Sequence, residues 1–176
     1  MLPKVAQQYC TKLPKNKQDS KYQELVNEYI ECGIKLEDIE KNIFLLQDER
    51  ERTLKNMGVN EDTAFFDYCI GIFDYPKVWK GEELYGFVQI LENYQSQNWL
   101  NLFPERVALK EKYPNAGERY LQFTSIEGEG SYFYDKETDY VYNVDWGQEE
   151  DMITGKLKPW FTSFYDFLEW YYSEDE

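Results

Sequence analysis

The stretch Ile126–Trp146, IEGEGSYFYDKETDYVYNVDW, decides the fold class. After the Gly128–Gly130 corner, Tyr132 and Tyr134 alternate with Phe133. Tyr140, Tyr142, Val144 and Trp146 then fall on one face, with Val141, Asn143 and Asp145 on the other. Lys136-Glu137-Thr138, between Asp135 and Asp139, supplies a loop of about three to five residues, so two antiparallel strands form a hairpin. Aromatic pairs across the strands hold it. The glycines fit a bulge or tight corner between strands. Upstream, from Arg119, the period is also two: Leu121 and Phe123 alternate with Tyr120, Gln122 and Thr124.

Downstream, Gly155 and Pro159 mark a loop. Ser163 and Asp166 match the S-x-x-D capping pattern. Phe164, Phe167, Leu168, Tyr171 and Tyr172 then have helical spacing. A hairpin feeding an amphipathic helix predicts that this helix closes a core on the sheet.

The N-terminal part reads as helices. Residues 1–19 are polar, carry Pro3 and Pro14, and are expected to be an irregular arm. Asp19 or Ser20 caps a helix whose stripe is Tyr22, Leu25, Val26, Tyr29 and Ile30, with Gly33 as its stop. Leu36, Ile39, Ile43, Leu46, Arg50, Leu54 and Met57 predict one longer helix ending at Gly58. Glu37–Lys41, Asp48–Arg52 and Glu51–Lys55 stand at i, i+4 with the acid first. These two helices should pair as a hairpin. Arg50 interrupts the seam that a dimerising coiled coil would need.

A third, short helix is expected from Asn60 or Glu61 through Cys69, with Gly71 ending it. Ile72–Pro76 reads as a strand end or loop, since Pro76 does not suit a central strand. Leu84–Leu91, LYGFVQIL, is apolar on both sides and reads as a strand covered on both faces; a helix fits the pattern as well. Residues 92–117 show no clear period. The fold class is therefore α+β: one domain over 1–176, with N-terminal helices and a C-terminal helix packed on a mainly antiparallel sheet.

Composition narrows the function classes. The chain has 176 residues, 42% of them hydrophobic and 18% aromatic, enough for one core. No apolar run reaches membrane-spanning length, and no stretch has a signal-peptide core, which points to the cytoplasm. Cys10, Cys32 and Cys69 are odd in number and form no C-x-x-C pair, so neither a disulfide framework nor a zinc site is expected. The absence of histidine removes Ser-His and Cys-His nucleophile systems. No cofactor is expected.

Net charge is −15 and lopsided. Residues 1–60 hold ten Lys/Arg and ten Asp/Glu; residues 61–176 hold nine and twenty-four, and so carry the whole excess. Such a field repels nucleic-acid phosphates, and it either steers a basic protein partner or simply keeps the chain soluble.

Several motifs invite a catalytic reading and fail it. Glu127/Glu129 and Asp135/Glu137/Asp139 are close in sequence, but glycosidase chemistry needs two carboxyls facing each other across a cleft. Asp145–Asp151 lacks the alternating oxygens and closing glutamate of an EF-hand loop. Gly128-Glu129-Gly130 has no lysine in phosphate-loop order, and its glutamates would repel phosphate. Nucleic-acid stacking platforms sit in basic grooves, unlike these aromatics.

The C-terminal third resembles the SMI1/KNR4 family, or SUKH superfamily. The match covers about 55 residues, and the residues that carry it are Glu127-Gly128-Glu129-Gly130, Tyr132-Phe133-Tyr134-Asp135, Val141-Tyr142, Val144-Asp145-Trp146 and Ser163-Phe164-x-x-Phe167-Leu168. Met57-Gly58-Val59 and Phe65-Phe66 add a further match, with Asn60-Glu61 in place of the family's L-P step. The resemblance implies an α+β fold. It also implies an immunity protein that neutralises a cognate bacterial toxin, commonly a nuclease or deaminase of a contact-dependent or polymorphic toxin system. The alternative it implies is a non-catalytic scaffold or regulatory domain. No catalytic residues come with it. The charge asymmetry independently nominates Glu127, Glu129, Asp135, Glu137, Asp139, Glu149, Glu150 and Asp151, with Tyr165 and Trp170, as contacts for a basic protein.

Overall fold

The computed structural model of the protein describes residues 1–73, 80, 82–125 and 130–174. In chain order the elements are α1 (Lys4–Gln7), β1 (Cys10–Thr11), α2 (Ser20–Glu31), α3 (Leu36–Lys41), a 3-10 turn (Ile43–Leu45), α4 (Gln47–Asn56), α5 (Ala64–Ile70) and β2 (Ile72–Phe73). They continue with α6 (Phe87–Ser96), α7 (Asn98–Asn101), α8 (Pro104–Lys112), α9 (Ala116–Arg119), β3 (Tyr120–Gln122), β4 (Gly130–Asp135), β5 (Tyr140–Asp145), α10 (Glu149–Thr154) and α11 (Phe164–Tyr172). The class is α+β.

The organising sheet is β3-β4-β5, antiparallel throughout. Asp135 pairs with Tyr140 and Gly130 with Asp145, so the predicted hairpin forms with the turn at Lys136–Asp139. Gly130 is needed for closeness rather than for positive φ: a Cβ there would lie 2.6 Å from the Val144 carbonyl oxygen. Gly128 of the same corner lies outside the described residues.

Both faces of the sheet are covered. On one side Leu121, Phe123, Tyr132, Tyr134 and Val141 meet α5, α6 and α11. Phe65 stacks on Tyr134 with centroids 4.0 Å apart, and Phe164 meets both rings edge-on. On the other side Tyr120, Phe133, Tyr142 and Val144 pack with Trp99, Leu100, Ala116 and Met152. The strand aromatics are therefore almost all core. Trp146, just past β5, is the exception at 47% exposure.

α11 sits where the stripe predicts. Phe164, Phe167, Leu168, Tyr171 and Tyr172 are buried, and Ser163 Oγ accepts the Asp166 N–H at 3.1 Å. Burying each of these side chains contributes about 1.5–3 kcal/mol, against about 1 kcal/mol for the cap. The stripe fixes the helix's place and the cap fixes its start.

Three expectations are corrected. The arm 1–19 is a structural part of the molecule. β1 pairs with β2, Ala6 is fully buried, and Tyr9 stacks on Tyr172 at 5.1 Å. The Pro14 and Lys15 carbonyls accept the Gln47 and Asp48 N–H groups at 2.9 and 3.1 Å, capping α4. The expected long helix over 36–57 is three pieces. Asn42 and Leu46 leave helical geometry, with ψ of 73° and 132°. Arg50 turns inward and donates to the Phe44 and Cys69 carbonyls at 2.5 and 2.9 Å. Of the charge pairs, Glu37–Lys41 forms, while Arg52 takes Glu49 and Lys55 takes Glu61.

Leu84–Leu91 is not a strand. Leu84 makes one bridge to Thr124, and α6 begins at Phe87. Only one side of this segment meets the core, so Phe87, Ile90 and Leu91 are buried at helical spacing while Val88 is exposed. Ile72–Phe73 is a strand end as expected; Pro76 lies outside the described residues.

Candidate functional site

The carboxylates nominated from charge occupy different settings. Asp135 is fully buried. Arg119 Nε and Nη2 donate to its two oxygens at 2.9 and 2.8 Å, and the Glu137 N–H and Thr138 hydroxyl add two more bonds at 3.0 and 2.8 Å. Its oxygens are saturated, so it fastens the hairpin turn and presents nothing to a partner. Asp135 in turn holds the Arg119 guanidinium above its ordinary range. Glu137 is exposed and pairs with the same guanidinium at 3.0 Å. Asp139 is half-buried at φ +65° and accepts the Tyr134 hydroxyl at 2.8 Å. Burial pushes its carboxyl up, while the Tyr134 hydroxyl and the Phe164 N–H pull the other way.

α10 carries the second group. Glu149 is buried against Arg106. Glu150 accepts from the Lys112 ammonium at 2.5 Å and the Tyr113 hydroxyl at 2.9 Å, which lower its pKa. Asp151 is half-buried in the same first turn, where the helix dipole favours acids. The turn and α10 lie at opposite ends of β5, roughly 17 Å apart at about 3.3 Å per residue. On α11, Tyr165 is exposed, and Trp170 packs edge-on against Trp160 at 4.7 Å with the Lys80 amine 5.6 Å from its ring. Glu127 and Glu129 lie outside the described residues. Among the described residues, the nominated side chains do not converge on one patch.

A more concentrated site lies where α8 meets the β5–α10 junction. Phe103 sits just before Pro104, which opens α8 at its first position and leaves the ring outside the helix. One turn on, Arg106 points inward. Trp146 follows β5, and Gly147, at φ +90°, swings the chain into α10 and brings Glu149 back. The Arg106 guanidinium lies 4.7 Å from the Trp146 ring centre and 5.5 Å from that of Phe103. The two rings are 5.0 Å apart. Arg106 donates to the Trp99 carbonyl at 3.2 Å and to Glu149 Oε1, and Glu149 Oε2 accepts the Gly147 N–H at 3.0 Å.

This ion pair forms the floor of an open cleft of about 410 Å³ walled by Phe103, Leu109 and Trp146, with Glu105 and Glu150 at its sides. Phe103 is 39% exposed, and exposed Leu102 and Val107 extend the apolar surface along α8. Large apolar groups exposed together mark an interaction site more than single ones do.

Sequence reading missed this cleft. In sequence, Leu102-Phe103 is an apolar pair followed by Pro104 in a stretch without clear period, and nothing local shows that F-P-x-R puts a ring outside and a cation inside. Among the described residues, no group of three or more acids and cysteines is placed to hold a metal ion, and no helix is long and apolar enough to cross a membrane. No family model, curated protein or solved structure matches the chain.

Proposed function

We propose that this chain is an immunity-type inhibitor that binds a basic toxin domain, a nuclease or deaminase, in the bacterial cytoplasm and neutralises it without a chemical step of its own. The observation that carries the reading is the α8–β5 cleft: exposed aromatic rings over a closed ion pair, flanked by carboxylates, on a chain of net charge −15. Exposed Trp and Phe beside charged rims are the anchors of protein interfaces. The hairpin and α11 agree with the fold expected from the SMI1/KNR4 resemblance. Asp135, Glu137, Asp139, Glu149 and Glu150 have hydrogen-bond or cation partners within the chain, and Asp151 lies in the first turn of α10, where the dipole favours it.

The test is rescue. The chain is co-expressed with the product of each adjacent gene that halts growth when expressed alone, and growth is followed together with co-purification. Restored growth and a stoichiometric complex are expected. Unrestored growth with no complex would refute the reading. Unrestored growth with capture of a signalling protein would favour the scaffold alternative.

A further inference from the structure

We infer that the α8–β5 cleft receives a lysine or arginine side chain from a basic protein partner, its aliphatic stem against Phe103, Leu109 and Trp146 and its cation at Glu105 and Glu150. This rests on the protein-binding reading above and adds the chemistry of the contact.

The charges around the cleft are unequal. Arg106 and Glu149 satisfy each other, and the second Glu149 oxygen is taken by the Gly147 N–H, so that pair is closed. Lys112 offsets Glu150 from outside the cleft wall. Glu105 is exposed and has no cation partner among the described residues. Among the described residues one negative charge is thus left over beside an apolar wall. An anionic side chain would be repelled. A purely apolar one would cover the wall while stripping water from Glu105 with nothing in exchange. A long side chain with a cationic end meets both needs. Arg106 supplies an internal precedent, since the same two rings already accept a guanidinium. The volume of about 410 Å³ is ample for one such side chain and falls in the range of small-ligand sites.

The experiment uses the full chain labelled with ¹⁵N. Its five tryptophans give separate indole N–H signals, and Trp146→Phe identifies the one at the cleft. The probes are the N-acetyl amides of arginine, lysine, norleucine and glutamate. The arginine and lysine probes are expected to shift the Trp146 signal saturably, binding about fivefold or more tighter than norleucine. Glu105→Gln, at an exposed position, should abolish that advantage and leave norleucine binding unchanged. Equal binding of norleucine, or no saturable shift with either cation, would overturn the assignment. The rescue assay reads the function separately: an unresponsive cleft in a chain that still protects cells refutes the cleft alone.

Discussion

Asp135 shows how a residue that reads as surface charge becomes part of the framework. It is the last residue of β4, followed by a four-residue turn, and its carboxylate ties the Arg119 fork, the Glu137 amide and the Thr138 hydroxyl together. Removing it would take the acceptor from Arg119 Nε and Nη2, the Glu137 amide and the Thr138 hydroxyl, and leave Arg119 paired, among the described residues, with Glu137 alone. Asp135→Ala is therefore expected to lose about 2–4 kcal/mol in denaturant unfolding, while leaving partner affinity unchanged. A loss under about 0.5 kcal/mol would contradict this role. Its neighbour Asp139 behaves oppositely. Burial raises its pKa above the ordinary 3.8, so the stability its carboxyl contributes is full below that value and is lost as pH rises through the folded one. Ionised Asp139 is a cost at neutral pH. Asn tolerates the same positive φ and keeps an acceptor for the Tyr134 hydroxyl. Asp139→Asn should raise the melting temperature at pH 7, with the gain shrinking as pH falls through the raised folded pKa towards 3.8 and levelling off below it. A lower melting temperature at pH 7 would contradict the argument.

At the scale of elements, legibility followed the number of neighbours each segment needs. The β4–β5 hairpin and α11 were readable because their patterns are local: alternation, a short turn, a serine cap and a helical stripe. The segment 36–57 was misread because its pattern is also local, but the structure that breaks it is not. Pro14 and Lys15, about thirty residues upstream, cap α4 through their carbonyls. Arg50 reaches back to Phe44 and forward to Cys69, fixing the turn before α4 against the end of α5. Burial lowers the Arg50 pKa to about 10, so it remains charged at neutral pH. Arg50→Leu would keep bulk but strand two carbonyls, and should cost about 2–4 kcal/mol in urea unfolding. Ser163→Ala, which removes only a cap, should cost about 1 kcal/mol. A reversed order of the two would mean that the helix breaks are not held by Arg50. The candidate cleft escaped the sequence for a similar reason: its rings come from positions 103 and 146 and meet only through the fold.

At the scale of the molecule, internal pairing does not consume the charge. Internal pairing leaves the net charge of −15 unchanged, and many of the acids among the described residues lie at the surface. Glu105, Glu111, Asp166 and Glu169 are exposed and have no ion pair among the described residues. Among the described residues the acidic field thus extends beyond those the sequence nominated. This favours rapid capture of a basic partner over any one contact. The direct measurement is the association rate with the basic toxin domain proposed as its partner, in stopped flow, from low to physiological ionic strength. A rate that falls at least about tenfold across that range is expected for steering by this field. A rate independent of salt, or the absence of a complex at either salt concentration, would contradict the account.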